Sequence, residues 1–169
     1  MTHKEKDAKK FILLVEDDTL LAYLISTKLA DAGFKVETVA NGATVVDYIK
    51  KERPDFVLLD MMLPMKDGYA ILSELSEAGI LPTLPVMIIS NSGQPVEIDR
   101  AMKLGVRDYM IKVNFDPMEV VEKVSRLIEE NSHGTTSTAR PTTPASKATV
   151  LLVEDDVMYV EILQVKFSQ

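Results

Sequence analysis

Strand-like and helix-like segments alternate five times between residues 11 and about 130, and this pattern constrains the fold more than any other feature. Three strand-like runs are almost wholly apolar, such as FILLV at residues 11–15, which is typical of strands buried on both faces. The intervening segments carry apolar residues at helical spacing. Such alternation requires right-handed crossovers, so the sequence predicts an α/β fold with a parallel sheet covered by helices on both faces.

The element boundaries follow from apolar runs and from cap and turn residues. The predicted strands are Phe11–Val15, Lys35–Ala40, Asp55–Asp60, Pro85–Ser90 and Asp108–Lys112. The first predicted helix has an inward stripe of Leu21, Leu24, Ile25 and Leu29 and stops at Gly33. The other predicted helices are Ala43–Lys51, Gly68–Ala78, about Pro95–Leu104, and one capped by Asp116 with Val121, Val124 and Ile128 inward.

Composition excludes several classes of protein. With 46% hydrophobic residues in 169, the chain can bury a sizeable core. It contains no apolar run long enough to span a membrane and no signal-peptide pattern, so we expect a cytoplasmic protein without a membrane partner. A net charge of −7 argues against nucleic-acid binding, and the absence of cysteine excludes disulfides and thiolate metal sites.

The chain ends suggest further units beyond the main domain at residues 11–131. Residues 1–10 are polar and predict a disordered leader, and residues 132–148 have the composition of a Ser/Thr/Pro linker. Residues 149–167 repeat the pattern of residues 11–29, and LLVEDD recurs unchanged. We therefore expect residues 149–169 to be the first strand and helix of a second domain of the same kind, truncated after that helix.

Polar residues follow the apolar strands at the end where parallel sheets carry their functional sites. These residues are Glu16, Asp17 and Asp18 after the first strand, Asp60 at the third, Ser90 at the fourth and Lys112 at the fifth. Several carboxylates on one rim repel each other unless a hard cation lies between them, and such oxygen ligands suit Mg²⁺. A lysine and a hydroxyl beside them predict a site for an incoming phosphoryl group.

Four motifs at these strand ends resemble one family. In order they are LLVEDD, DFVLLDMMLPMKDG, PVMIISNS and DYMIK. Together they resemble the receiver domain of two-component response regulators over residues 11–131. The resemblance implies a doubly wound, flavodoxin-like sheet with strand order 2-1-3-4-5. It also implies a signalling domain that is not an enzyme in the usual sense.

The resemblance implies roles for the acidic residues. Asp60 matches the phosphoacceptor of the family. Glu16 and Asp17 match the acidic pair that holds Mg²⁺, together with Asp60 and the backbone carbonyl of Met62.

It also implies a switch. Ser90 matches the hydroxyl that turns toward the phosphoryl group, Lys112 the lysine that pairs with it, and Tyr109 the aromatic switch position. The phosphodonor would be a phosphohistidine on a histidine kinase or a histidine phosphotransfer protein. We expect the face formed by helix 4, strand 5 and helix 5, near Ile98 and Met102, to bind an effector or a second copy of the chain.

Three residues depart from the family pattern. Val113 replaces the proline that usually follows the lysine, so we expect a trans bond there. Asn91 replaces a very small residue and is expected to narrow access to the phosphoryl group, and the apolar Met62 is expected to affect the attack of water. Met62 also cannot serve as the second acid of an aspartate-nucleophile phosphohydrolase.

Two other functions are alternatives to a phosphoacceptor domain. A nucleotide- or flavin-binding module would need a glycine-rich phosphate loop after the first strand, where this chain has acidic residues. The alternative that stays open is a receiver that is never phosphorylated and acts only as a protein-interaction module.

Overall fold

The computed structural model describes residues 9–114 and 116–132, and this part of the chain forms five strands and five helices in strict alternation. The strands are β1 Phe11–Val15, β2 Lys35–Val39, β3 Phe56–Asp60, β4 Val86–Ser90 and β5 Asp108–Ile111. The helices are α1 Thr19–Asp31, α2 Gly42–Glu52, α3 Gly68–Glu77, α4 Pro95–Lys103 and α5 Pro117–Ser132. A short 3₁₀ turn, Lys112–Asn114, follows β5.

The strands form one parallel sheet in the order β2-β1-β3-β4-β5, which confirms the predicted fold. Asp60 pairs with Ile89, and Ser90 pairs with Ile111. The carboxyl ends of β3, β4 and β5 therefore lie side by side at one edge of the sheet.

Alternate strand residues face opposite sides of the sheet and supply two apolar cores. One core contains Leu59 and Ile88 and packs against α2 and α3. The other contains Leu58 and Ile89 and packs against α1 and α5. Each fully buried side chain of this size contributes roughly 1.5–3 kcal/mol to the free energy of folding. The two cores hold the strand ends firmly, and the helices cover both faces as predicted.

The structure corrects the end of the fifth strand. We predicted a strand that reaches Lys112, but β5 ends at Ile111 and Lys112 begins the 3₁₀ turn. Because β4 ends at Ser90, which pairs with Ile111, β5 has no partner on that strand beyond this residue. The peptide bond between Lys112 and Val113 is trans, as expected.

The inward faces of two helices also differ from prediction. In α1 the buried residues are Ala22, Ile25 and Leu29, whereas Leu24 is 41% exposed. The apolar stripe of α1 is wider than the face that the sheet covers, and the small Ala22 lies on that buried face. In α5, Val121 is only partly buried.

Three predicted units lie wholly or mostly outside the described residues. They are the leader at 1–10, the linker at 132–148 and the second domain at 149–169. Within the described ranges, no helix combines the length and the apolar character that crossing a membrane requires.

Candidate functional site

Three charged side chains meet at the carboxyl edge of the sheet, each brought there by a different strand. Glu16 follows β1, Asp60 ends β3, and Lys112 follows β5. Lys112 Nζ lies 2.8 Å from Glu16 Oε2 and 2.8 Å from Asp60 Oδ2. The two acidic residues are only 2% and 3% exposed. We call these three residues the Lys112 triad. Because β4 lies between β3 and β5, the side chain of Lys112 reaches across the end of β4 to contact both carboxyl groups.

Burial and ion pairing oppose each other in the Lys112 triad. Burial raises the pKa of Glu16, and the hydrogen bond and charge of Lys112 offset part of that rise. Burial also disfavours the charged form of Lys112, but its hydrogen bonds to Asp60 and Glu16 outweigh this effect and raise its pKa. Lys112 therefore carries a fixed positive charge at neutral pH.

The triad borders a group of carboxyl groups that could hold a metal ion. Glu16, Asp17 and Asp60 each place one oxygen within 4.8 Å of the others. Glu16 and Asp60 are buried, whereas Asp17 is exposed. Mg²⁺ prefers oxygen ligands and keeps several waters, so an open cluster of this composition fits it. The three predicted acidic ligands are thus brought together.

Met62 contacts Asp60 through its backbone amide. Its backbone N–H donates a hydrogen bond to Asp60 Oδ1 at 3.1 Å, and its side chain points outward, being 70% exposed. This bond holds one carboxyl oxygen of Asp60, and Lys112 holds the other. The role of the Met62 carbonyl as a metal ligand stays a prediction.

An open depression of about 500 Å³ lies over these groups. Its lining residues are Glu16, Asp17, Asp18, Leu21, Asp60, Met62, Asn91 and Lys112. A phosphoryl group and its waters fit a depression of this size. Asn91 and Met62, which depart from the family pattern, both line it and are positioned to affect access to Asp60.

Asp18 has a structural role beside the site. Its Oδ1 accepts hydrogen bonds from the backbone N–H groups of Leu20 and Leu21 at 2.9 and 3.0 Å, so it caps α1. Its own N–H donates to Glu16 Oε1 at 3.2 Å. The third acid of the EDD run therefore starts the helix and orients Glu16.

Ser90 and Tyr109 converge on the segment that follows β4. Ser90 is 2% exposed, and its hydroxyl oxygen accepts a hydrogen bond from the N–H of Ser92 at 3.2 Å. The hydroxyl of Tyr109 donates to the carbonyl of Ser92 at 2.7 Å. Both predicted switch residues therefore hold the same residue, one through its amide and the other through its carbonyl.

Gly68 lets α3 begin directly against the carboxyl end of β3. A Cβ atom at Gly68 would lie 2.8 Å from Met61 Cα and 2.9 Å from the carbonyl oxygen of Asp60. The N–H of Gly68 donates to the carbonyl of Met61 at 3.0 Å. A larger residue at this position would force apart the backbone around Asp60.

Sequence reasoning missed Tyr69. Its hydroxyl donates to the carbonyl of Glu97 in α4 at 3.0 Å, and the guanidinium of Arg100 lies 4.2 Å from the centre of its ring. The available signal was an aromatic residue in the first helical turn directly after the Asp67–Gly68 cap. A single tyrosine belongs to no repeating pattern, so the sequence does not distinguish this contact from ordinary packing.

Comparison with known proteins identifies the family. Residues 12–125 match the family described as "Response regulator receiver domain", so this chain belongs to the response regulator receiver domains. The regulatory protein VanRc of Enterococcus gallinarum is 33% identical over 131 residues, which are 78% of this chain and 55% of that protein. The chain thus matches about half the length of this relative.

Solved structures show the same fold. The receiver domain of Francisella response regulator 1452 is 26% identical with a TM-score of 0.68, covering 72% of this chain and 98% of that one. The BeF3-activated N-terminal receiver domain of Klebsiella pneumoniae RstA is 26% identical with a TM-score of 0.64, covering 70% and 98%. Receiver domains are signalling domains that work with histidine kinases.

Proposed function

We propose that Asp60 accepts a phosphoryl group from a phosphohistidine donor. An oxygen of Asp60 bonds to phosphorus while the bond from phosphorus to the histidine nitrogen breaks, and that nitrogen keeps the electron pair. The product is an aspartyl phosphate. Mg²⁺ held by Glu16, Asp17 and Asp60 would neutralise charge on the phosphoryl oxygens.

One observation carries the proposal: Lys112, whose side chain is only 10% exposed, holds the carboxyl group of Asp60 at 2.8 Å, at the floor of an open depression. Lys112 keeps Asp60 in one orientation and supplies positive charge where the phosphoryl group would bring negative charge. Phosphoryl transfer needs mainly positioning and charge neutralisation, and this arrangement provides both.

The hydrogen bonds of the neighbouring hydroxyl groups would change in response to the new charge. A phosphoryl group on Asp60 offers strong acceptors to Ser90 and Lys112. If the Ser90 hydroxyl turns toward it, the hydroxyl no longer accepts from Ser92, and the bond between Ser92 and Tyr109 is disturbed as well. The segment after β4 would then move together with α4.

The face made by α4, β5 and α5 is the proposed binding surface for an effector or a second copy of the chain. Val96, Met102 and Ile111 are exposed there at 77%, 43% and 38%. We propose a cytoplasmic histidine kinase or phosphotransfer protein as the donor. We expect that neither of these donor proteins needs a nucleic acid or a membrane in order to bind this chain.

The test is intact-mass analysis and peptide mapping after incubation with acetyl phosphate and Mg²⁺. We expect one phosphoryl group on Asp60, absent in Asp60→Asn and absent when EDTA is added first. The matched control is Asp47→Asn, which removes an exposed carboxyl group on α2 and should leave the adduct intact. A folded protein that binds Mg²⁺ but forms no adduct would favour the receiver that acts only through protein interaction.

We also propose that residues 149–169 begin a second receiver-like unit, on the ground that LLVEDD recurs there. The proposed site draws every residue from the first unit. Residues 9–132 alone should therefore form the same adduct at the same rate. A rate that falls upon this truncation would mean that the C-terminal region contributes to the first site.

A further inference from the structure

Helix α4 makes few contacts with the rest of the domain. Of its nine residues only Ala101 is buried, and its N-terminal cap residue, Gln94, makes no side-chain hydrogen bond to it. Val96 in its first turn is 77% exposed. A helix that buries so little surface has a low free energy of local unfolding. Each contact that it makes with another element therefore contributes strongly to fixing its position.

Two of those cross-contacts involve Tyr69 of α3. Its hydroxyl donates to the carbonyl of Glu97 at 3.0 Å, and Arg100 stacks on its ring at 4.2 Å. Both partners belong to α4. Burial, followed by the proximity of Glu97 and Tyr109, raises the pKa of Tyr69, so the hydroxyl stays protonated and remains a donor.

Tyr69 is also tied to the phosphoacceptor strand through the backbone. It directly follows Gly68, whose N–H donates to the carbonyl of Met61 and where an added Cβ atom would lie 2.9 Å from the carbonyl oxygen of Asp60. A displacement around Asp60 would therefore reach Tyr69 within a few bonds. This connection is separate from the one that runs through Ser90 to the segment after β4.

We propose that Tyr69 is a positioning residue that holds α4 in the position it has in the unphosphorylated domain. Its hydrogen bond to Glu97 is broken when α4 moves. Arg100 keeps the ring in place by stacking. This inference rests on the proposed function and adds a second connection between Asp60 and α4, beside the one through Tyr109.

The test uses Tyr69→Phe in the full chain, which removes the hydroxyl and keeps the ring. Hydrogen exchange is followed in peptides covering residues 95–103, and the affinity for beryllofluoride with Mg²⁺ is measured by titration. Arg100→Gln removes the stacking and keeps the hydroxyl. Tyr48→Phe is the matched control, since the Tyr48 hydroxyl donates to Glu37 at the opposite end of the sheet.

We expect Tyr69→Phe to speed exchange in α4 severalfold and to raise the affinity for beryllofluoride. The net contribution of one neutral hydrogen bond corresponds to a factor of roughly 2 to 10 in an equilibrium constant. Arg100→Gln should act in the same direction with a smaller effect, and Tyr48→Phe should change neither quantity. A residue that only stabilises the fold would not raise the affinity for a ligand of Asp60.

Two outcomes would overturn the role of Tyr69. One is exchange in α4 that is unchanged in Tyr69→Phe; the other is faster exchange that extends equally to β1 and β3, which would indicate general destabilisation. Because exchange is measured without beryllofluoride as well, this result is independent of the phosphoacceptor. If the wild-type chain fails to bind beryllofluoride, the proposed function fails and the exchange result still decides whether Tyr69 positions α4.

Discussion

The two halves of the site are built from different interactions. The Lys112 triad joins β1, β3 and β5 through two ion pairs of 2.8 Å between almost fully buried groups. The other half, Ser90, Ser92, Tyr109 and Tyr69, is joined by neutral hydrogen bonds to backbone groups and borders the thinly packed α4. We infer that the first half fixes the place where charge arrives and the second half is free to move in response.

The largest effect should come from breaking the ionic half. Lys112→Met would leave two buried carboxyl groups without their cation, and losing one partner of a buried pair costs about 3–5 kcal/mol. We expect a fall of that size in the free energy of unfolding, measured with urea. Adding Mg²⁺ should restore more stability to the variant than to the wild type, because the metal replaces the missing charge.

The contradicting result for Lys112→Met is a free energy of unfolding close to that of the wild type. Lys123→Met serves as the control, because that lysine lies 3.4 Å from Asp108 in a partly exposed pair away from the triad. Its loss should cost about 1 kcal/mol or less.

A second comparison uses glycines on the two halves. Gly68→Ala would press a Cβ atom against backbone atoms of Asp60 and Met61 at 2.8–2.9 Å, so we expect a loss of about 1–3 kcal/mol. In Gly93→Ala the Cβ atom would meet the end of the Ile111 side chain at 2.6 Å, which can rotate away. Equal losses of stability in the two variants, measured by urea unfolding, would contradict the view that the ionic half is the more rigid.

Asn91 lies where the two halves meet, directly after Ser90 and on the rim of the depression. Asn91→Ala should open access to Asp60, so we expect faster phosphorylation by acetyl phosphate and a shorter lifetime of the adduct. Gln94→Ala, at an exposed position in the same segment, is the control. A lifetime unchanged in Asn91→Ala would show that Asn91 does not restrict access.

The smallest effect is expected from Tyr109→Phe. Its hydroxyl makes one neutral hydrogen bond, to the carbonyl of Ser92, and such a bond contributes about 1 kcal/mol. Stability should fall by that amount at most, while hydrogen exchange near residues 92–94 should increase. A loss as large as that of Lys112→Met would remove the distinction between the halves.

The ionic half could be predicted from the sequence, whereas much of the second half could not. Glu16, Asp60 and Lys112 lie at the carboxyl ends of three predicted strands, and parallel topology brings such ends to one edge whatever the details of packing. The bond between Tyr69 and Glu97 depends on how α3 and α4 lie relative to each other, which no periodicity encodes. For the same reason, the prediction that Leu24 faces inward was wrong. An apolar pattern marks one face of a helix without showing how much of that face the sheet covers.

The most direct test of the two-part account is a crystal structure of the chain with beryllofluoride and Mg²⁺. The account predicts that Lys112 stays beside Asp60, that the Ser90 hydroxyl leaves the N–H of Ser92 for a fluorine atom, and that the bond between Tyr109 and Ser92 breaks. A complex in which Ser90 and Tyr109 keep their present bonds to Ser92 while Asp60 carries beryllofluoride would contradict it.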